Sequence, residues 1–176
     1  MNIPLQIAKH LRETFFGINW TCVNLQEQLK DVSWEEANIK VYELNSIFTL
    51  VQHITYYIPA QIKVLQGNPL LASDAESFIV PTINNENEWQ QFLAIKYVEA
   101  EQLATLIEKL SEEKLYEYFT DEKYGTYYRN LVGMIEHLHY HLGQIVFLKK
   151  IINHKCCVQS ISATFCFSKY TSLGVL

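Results

Sequence analysis

Three histidines stand within five residues in the segment Glu136-His137-Leu138-His139-Tyr140-His141-Leu142-Gly143-Gln144-Ile145. The segment reads as a helix, in which residues four apart lie one above the other. His137 and His141 therefore project almost the same way, and His139 points away from both. Two imidazoles stacked one turn apart are half of a site for a divalent transition metal. A third imidazole would complete a three-histidine centre with an open fourth position for water or substrate, the arrangement of a catalytic zinc-type site.

The third candidate is His53. With Leu138 as the centre of the apolar stripe, His141 is offset by about 60° and His137 by about 100° at ~100° per residue. Both sit on the flank where a helix borders its neighbour, and His139 falls on the opposite flank. His53 immediately precedes Ile54, a stripe residue of another helical segment, and also lies on a flank. The pair and the single histidine can meet in a crevice between two helices. Other readings of these residues stand beside this one. A flank histidine is commonly satisfied by a neighbour, and tyrosine-rich surroundings suit histidines that line an interface. Glu136 and His139 form one Glu-x-x-His, but a di-iron carboxylate centre needs a second such pair and further glutamates, and no second pair exists.

Four segments with helical periodicity must position these residues. In the first, Ile7, Leu11, Phe15, Ile18, Cys22, Leu25 and Leu29 follow alternating steps of three and four. This predicts one helix over roughly residues 4–30, with Pro4 in its first turn and Cys22 in the core. Ser33 with Glu36 reads as a capping box for a short helix from Trp34. The second long helix is predicted to start near Asn45 as its cap, with the stripe Ile47, Val51, Ile54, Ile58, Ile62 and Leu65. Pro59 lies inside that stripe and should bend or weaken the helix. Gly67 and Pro69 end it. A linker of about twenty residues follows, long enough to suggest a crossover or a loop with a role.

The third long helix is predicted from about Glu86 to Leu110, with Trp89, Leu93, Tyr97, Ala100, Leu103, Ala104, Ile107 and Leu110 on one face. Tyr116–Gly125 reads as a polar and aromatic turn. The fourth runs from about Thr126 to Asn153 on Leu131, Met134, Ile135, Leu138, Leu142 and Ile145. Residues 1–154 thus form one all-α domain. The tail, residues 155–176, is rich in Ser, Thr, Cys and aromatics, and suits a strand or an irregular packed segment better than a helix.

The 176 residues, 49% hydrophobic and 19% charged, are those of one globular domain with its own core. A formal net charge of -5 argues against a nucleic-acid partner. No apolar run approaches the ~20 residues of a spanning helix, so no membrane partner is expected. Met1-Asn2-Ile3-Pro4-Leu5 lacks a basic region followed by an apolar one, so no signal peptide is expected. Cys22 stands alone while Cys156, Cys157 and Cys166 crowd together, which reads as reduced thiols in a cytoplasmic protein rather than a disulfide framework.

The stretch His137-Leu138-His139-Tyr140-His141-Leu142-Gly143-Gln144-Ile145 resembles the signature His-x-x-x-His-x-Gly-Gln-Ile of the DinB-like superfamily, the damage-inducible four-helix-bundle proteins. Ser46-Ile47-Phe48-Thr49-Leu50-Val51-Gln52-His53-Ile54 is similar to that family's second-helix motif, an apolar run ending in His-Ile. The resemblance covers about residues 5–153.

It implies a right-handed up-up-down-down four-helix bundle, with the Gly67–Asn85 stretch as the long crossover between helices two and three. It implies a divalent metal, zinc or nickel above others, held by His53, His137 and His141, with His139 a non-ligand. Gln144 would hydrogen-bond around the ligands, and Gly143 would permit close helix approach or serve packing. The activities implied are uneven. Some members are thiol S-transferases joining bacillithiol or mycothiol to an electrophile, others are mycothiol-dependent isomerases, and a related hydrolase also fits. The metal would bind the thiol as thiolate. Trp20, Thr49, Tyr56, Tyr57 and Tyr140 are candidates to line the electrophile's pocket by their nearness in sequence to the histidines. A homodimer is implied, with Tyr127, Tyr128 and Phe147 available for an interface. The alternative is a metal-stabilised binding or regulatory bundle without turnover.

Overall fold

The computed structural model describes residues 2–170, with side chains over residues 2–154. The described residues form an all-α structure with α1 (Ile3–Phe16), α2 (Leu25–Leu29), α3 (Trp34–Asn38), α4 (Ile47–Leu65), α5 (Asp74–Ser77), α6 (Glu86–Glu108) and α7 (Tyr127–Tyr170). Local chemistry sets most of the starts. The side chains of Asn2, Asn24, Ser33, Ser46 and Asn85 each accept from a backbone N–H in the first turn that follows. Ser33 and Glu36 close the expected capping box. The cap of α4 is Ser46, one residue beyond the predicted Asn45, because it is the Ser46 hydroxyl that reaches the Thr49 N–H.

The first predicted helix is two. After Phe16 the side chain of Asn19 donates to the carbonyls of Glu13 and Val23, and Asn24 donates to that of Gly17. These asparagines offer the backbone a competing set of partners, and the helix stops. Ile18 is 89% exposed. Cys22 is exposed at a φ of 57° in the same loop, outside the core where the stripe placed it. The stripe resumes with Leu25 and Leu29, both buried on α2.

Elsewhere the stripes are the core. Ile7, Leu11 and Phe15 of α1 meet Ile47, Val51, Ile54 and Ile58 of α4, Leu103 and Ile107 of α6, and Leu131, Leu138, Leu142 and Ile145 of α7. Pro59 lies within α4, which continues to Leu65. α1 packs on α6 and α7, and α4 packs on the same two helices. α1 and α6 run antiparallel. Ile3 N–H donates to Glu112, Arg12 pairs with Glu101 and Glu108, and Phe16 packs edge-on against Tyr97.

α7 passes the predicted end at Asn153 and continues to Tyr170. The tail was expected to be strand or irregular, but from Lys155 to Tyr170 it contains no Gly or Pro to stop a helix already running. Residues 171–176, the rest of that tail, lie outside the described residues. Tyr127 is buried against Phe119 with Lys114 over its ring, so it belongs to the core and not to a free surface. Tyr128 and Phe147 are exposed. Among the described residues no helix is long and apolar enough to cross a membrane.

Trp89 ties α6 to the α2–α3 turn. Its side chain is 1% exposed, stacks on Phe92, meets Phe48 edge-on, and donates from Nε1 to the Val32 carbonyl at 3.0 Å. Trp89→Ala is expected to cost about 3–5 kcal/mol of stability. Trp89→Phe should cost less but still measurably, because the buried carbonyl loses its donor. Urea unfolding of both variants checks the order, and an unchanged midpoint for Trp89→Ala would contradict this packing.

Candidate metal centre

Two facing rows of side chains build the centre. On α4 the row is His53, Tyr57 and Gln61, and on α7 it is Arg129, Gly133, His137 and His141. Successive members are four residues apart, so each row keeps to one face of its helix. The apolar stripes beside them, Ile54 and Ile58 on α4 and Leu138 and Leu142 on α7, are buried and lock the two faces together.

His53, His137 and His141 come together as the sequence predicts. One ligand atom from each lies within 4.8 Å of the others, a group that could hold a metal ion. The Nε2 atoms of His53 and His137 are 2.9 Å apart. Ring centroids are separated by 4.8 Å for His53–His137 and His53–His141, and by 4.6 Å for His137–His141. Three nitrogens on one tetrahedral zinc ion would sit roughly 3.4 Å apart, given bonds of about 2.0–2.1 Å. The donor set and its spacing therefore suit such an ion with small side-chain adjustments.

The outer hydrogen bonds settle the tautomers of two rings. Ser77 Oγ donates to the Asp74 carbonyl at 2.6 Å. Its lone pair is then left to accept from His53 Nδ1–H at 2.7 Å. Gln144 Oε1 accepts from His141 Nδ1–H, also at 2.7 Å. Each ring has its proton on Nδ1 and an unprotonated Nε2, the form in which imidazole ligates and in which outer partners orient ligands. Phe78 stacks on His53 with centroids 4.0 Å apart, and Tyr140 meets His141 edge-on at 4.8 Å. Both rings are fenced as well as tethered.

Burial pushes the imidazole pKa values down, because the charged form loses its hydration. His137 falls from 6.5 to about 4, through burial first and then the neighbouring His141 and His53. His53 is lowered by burial and by His141, partly offset by Asp74. His53 and His137 are thus neutral at neutral pH, and with the His53 proton on Nδ1 the 2.9 Å contact is His137 Nε2–H donating to His53 Nε2.

Other predicted residues divide. Tyr57 lies 6.2 Å from the His53 ring and 6.0 Å from that of His137, and its hydroxyl donates to Asp74. Tyr56 donates to Glu76 and packs edge-on against Tyr57. Thr49 is taken up in the cap of α4 through Ser46, and Trp20 is fully exposed in the loop after α1, so neither serves the centre as expected. His139 turns to α1, where its Nε2 lies 3.1 Å from Thr14 Oγ1 and 3.3 Å from His10 Nε2. That is the position of a non-ligand. Glu136 is exposed, 3.6 Å from Arg129. Gly143 is exposed, and a side chain there would meet open space, so it serves no close approach. Asp74, Ser77 and Phe78 were missed. They belong to the crossover, where no periodicity marks which residue turns inward.

The depressed histidine pKa values carry a sign. A group that stays neutral in the fold but protonates at its ordinary 6.5 when unfolded draws protons to the unfolded chain. Its contribution is intact above about pH 6.5 and is lost as pH falls toward about 4. Metal-free protein should lose stability over that window, and His137→Gln should lose less between pH 6.5 and 5. Urea midpoints across pH check this, and parallel curves for the two proteins would refute it.

A scan against protein-family models, a search of curated proteins and a search of solved structures each found no match to this chain, so the reading of the centre rests on its own geometry.

Proposed function

We propose that this protein is a divalent-metal-dependent enzyme acting on low-molecular-weight thiols, most plainly a thiol S-transferase, with a related hydrolase as the nearest variant. His53, His137 and His141 would hold the divalent ion, zinc or nickel above others, through three imidazole nitrogens. The observation that carries the reading is the tautomer lock. Ser77 and Gln144 each accept an Nδ1–H, leaving the Nε2 atoms of His53 and His141 unprotonated. Outer acceptors of this kind orient histidine ligands and turn the lone pairs of both rings toward the third histidine. When bound, the ion supplies a Lewis acid that lowers the pKa of a thiol at an open position.

The chain's own groups supply the rest. Ser77, buried and anchored to the Asp74 carbonyl, fixes the face that His53 presents. Asp74 accepts from the Tyr57 hydroxyl at 2.8 Å and lines a cleft with His137. This places a proton-accepting carboxylate at the edge of the centre.

Membership of the DinB-like superfamily, an up-up-down-down arrangement of α1, α4, α6 and α7, a cytoplasmic setting and a homodimer belong to the same reading. It is supported by the motif around His137 and His141, by the antiparallel α1–α6 pair, and by α4 packing on both α6 and α7. The exposed Phe147 borders a groove with Leu44 and Leu50 that suits a second copy.

Plasma mass spectrometry of the purified protein should find close to one divalent ion per chain, and none in the His53→Ala, His141→Ala double variant. A wild type that neither carries nor takes up zinc or nickel would end the enzymatic reading. Ser77→Ala should leave the fold intact and weaken metal affinity by about 10–100-fold, with Ser77→Thr recovering most of it. Competition with a chromophoric chelator measures this, and an unchanged affinity for Ser77→Ala would remove the tautomer lock from the argument.

A further inference from the structure

The two rows of residues continue beyond the histidines and border an open cleft of about 470 Å³. His137 stands at one end. Tyr57 and Gln61 form the α4 wall, Gly133 and Arg129 the α7 wall, and Asp74 enters from the crossover. Among the described residues Arg129 pairs with Glu136 at 3.6 Å, and both side chains are 68% exposed. Such a pair contributes little and is readily exchanged.

A missing side chain lets the guanidinium lie close over the helix at the cleft's edge. A Cβ on Gly133 would lie 2.3 Å from Arg129 Nη1. The tip of Arg129 therefore rests on the bare backbone of Gly133, which is one turn before His137 and ~6 Å from it along the helix. Glycine weakens a helix interior, so its place here has a packing reason.

Asp74 brings the opposite charge. Tyr57 occupies its Oδ1, and a carboxylate retains further acceptor positions. No ion pair joins Asp74 to Arg129 among the described residues, although both line the same cleft. Gln61, on the α4 wall of the same cleft, has a buried Oε1 without a hydrogen-bond partner. A guanidinium and a carboxylate that line one cleft without pairing, with an orphan acceptor in its wall, suit a ligand that carries both charges.

We propose that this cleft is a head-group subsite for a free α-amino acid. Arg129 takes the carboxylate, Asp74 and, after a small amide rotation, Gln61 take the ammonium, and the ligand's side chain is directed toward His137. What happens at the histidines rests on the metal-centre reading, under which the substrate class narrows to amino-acid thiols. The head-group contacts themselves do not depend on the metal.

The test uses probes without sulfur on the full-length, ¹⁵N-labelled protein: L-2-aminobutyrate, propylamine and butyrate, followed by amide shifts at Asn130 and Gly133. L-2-aminobutyrate should bind at least tenfold more tightly than either half-ligand. Arg129→Gln and Asp74→Asn should each lose that preference. Gly133→Ala should lose it too while keeping or raising thermal stability, since only a flexible guanidinium must move and alanine favours the helix. Equal binding of the three probes, or wild-type preference in both Arg129→Gln and Gly133→Ala, overturns the subsite. A protein that takes up no zinc yet prefers L-2-aminobutyrate keeps the subsite and overturns the metal centre. One that loads zinc without the preference does the reverse.

Discussion

His53 and His137 bring two ring nitrogens to 2.9 Å at the seam between α4 and α7, and that contact exists in one register of the two helices. Slipping either helix by a turn would move His53 opposite Gly133 or beyond His141 and scatter the centre. The register is held by apolar packing, not by the histidines. Ile54, Ile58, Leu138 and Leu142 are each about 1% exposed or less, and such interdigitated side chains tolerate no intermediate offset. The polar row lies beside this seam and is carried by it.

That placement creates an electrostatic constraint. Three imidazoles close together and removed from water cannot all be charged, and burial keeps His53 and His137 neutral. Neutral imidazoles still have two distinct nitrogens, and only one arrangement of protons turns the lone pairs inward. Ser77 and Gln144 select that arrangement from opposite sides, one from the crossover and one from the next turn of α7. The cost of desolvating the rings is thus met by partners that also define what the rings can do.

Much of this was legible in the chain. The i,i+4 spacing of His137 and His141 and the position of His53 beside Ile54 follow from helix geometry alone, as does the orientation of His139 toward another neighbour. The buried stripes of α4, α6 and α7 follow from the same period. The failures share a cause. Ile18 and Cys22 fit the stripe of α1, but Asn19 and Asn24 bind the backbone locally and end the helix, and side-chain competition of that kind leaves no trace in hydrophobic period. The period of its own helix leaves Tyr127 available for an interface, whereas its partners Phe119 and Lys114 come from the segment before that helix.

The crossover is the deepest case. From sequence, Gly67 to Asn85 is length without periodicity, yet its short α5 and the Phe78 that follows supply four contacts to one face of α4. Asp74 meets Tyr57, Glu76 meets Tyr56, Ser77 meets His53, and Phe78 stacks on the same ring. A connection whose only task was to reach α6 would not need an inward hydroxyl with no exposure at all. Burying that hydroxyl is tolerable because both of its hydrogen bonds are made, one to the Asp74 carbonyl and one to His53. Ser77 and His53 therefore satisfy each other, and the crossover is held down by the residue it orients. Loss of Ser77 leaves the His53 Nδ1–H without its acceptor, and loss of His53 leaves Ser77 held by the Asp74 carbonyl alone, which couples this loop to the state of the histidines.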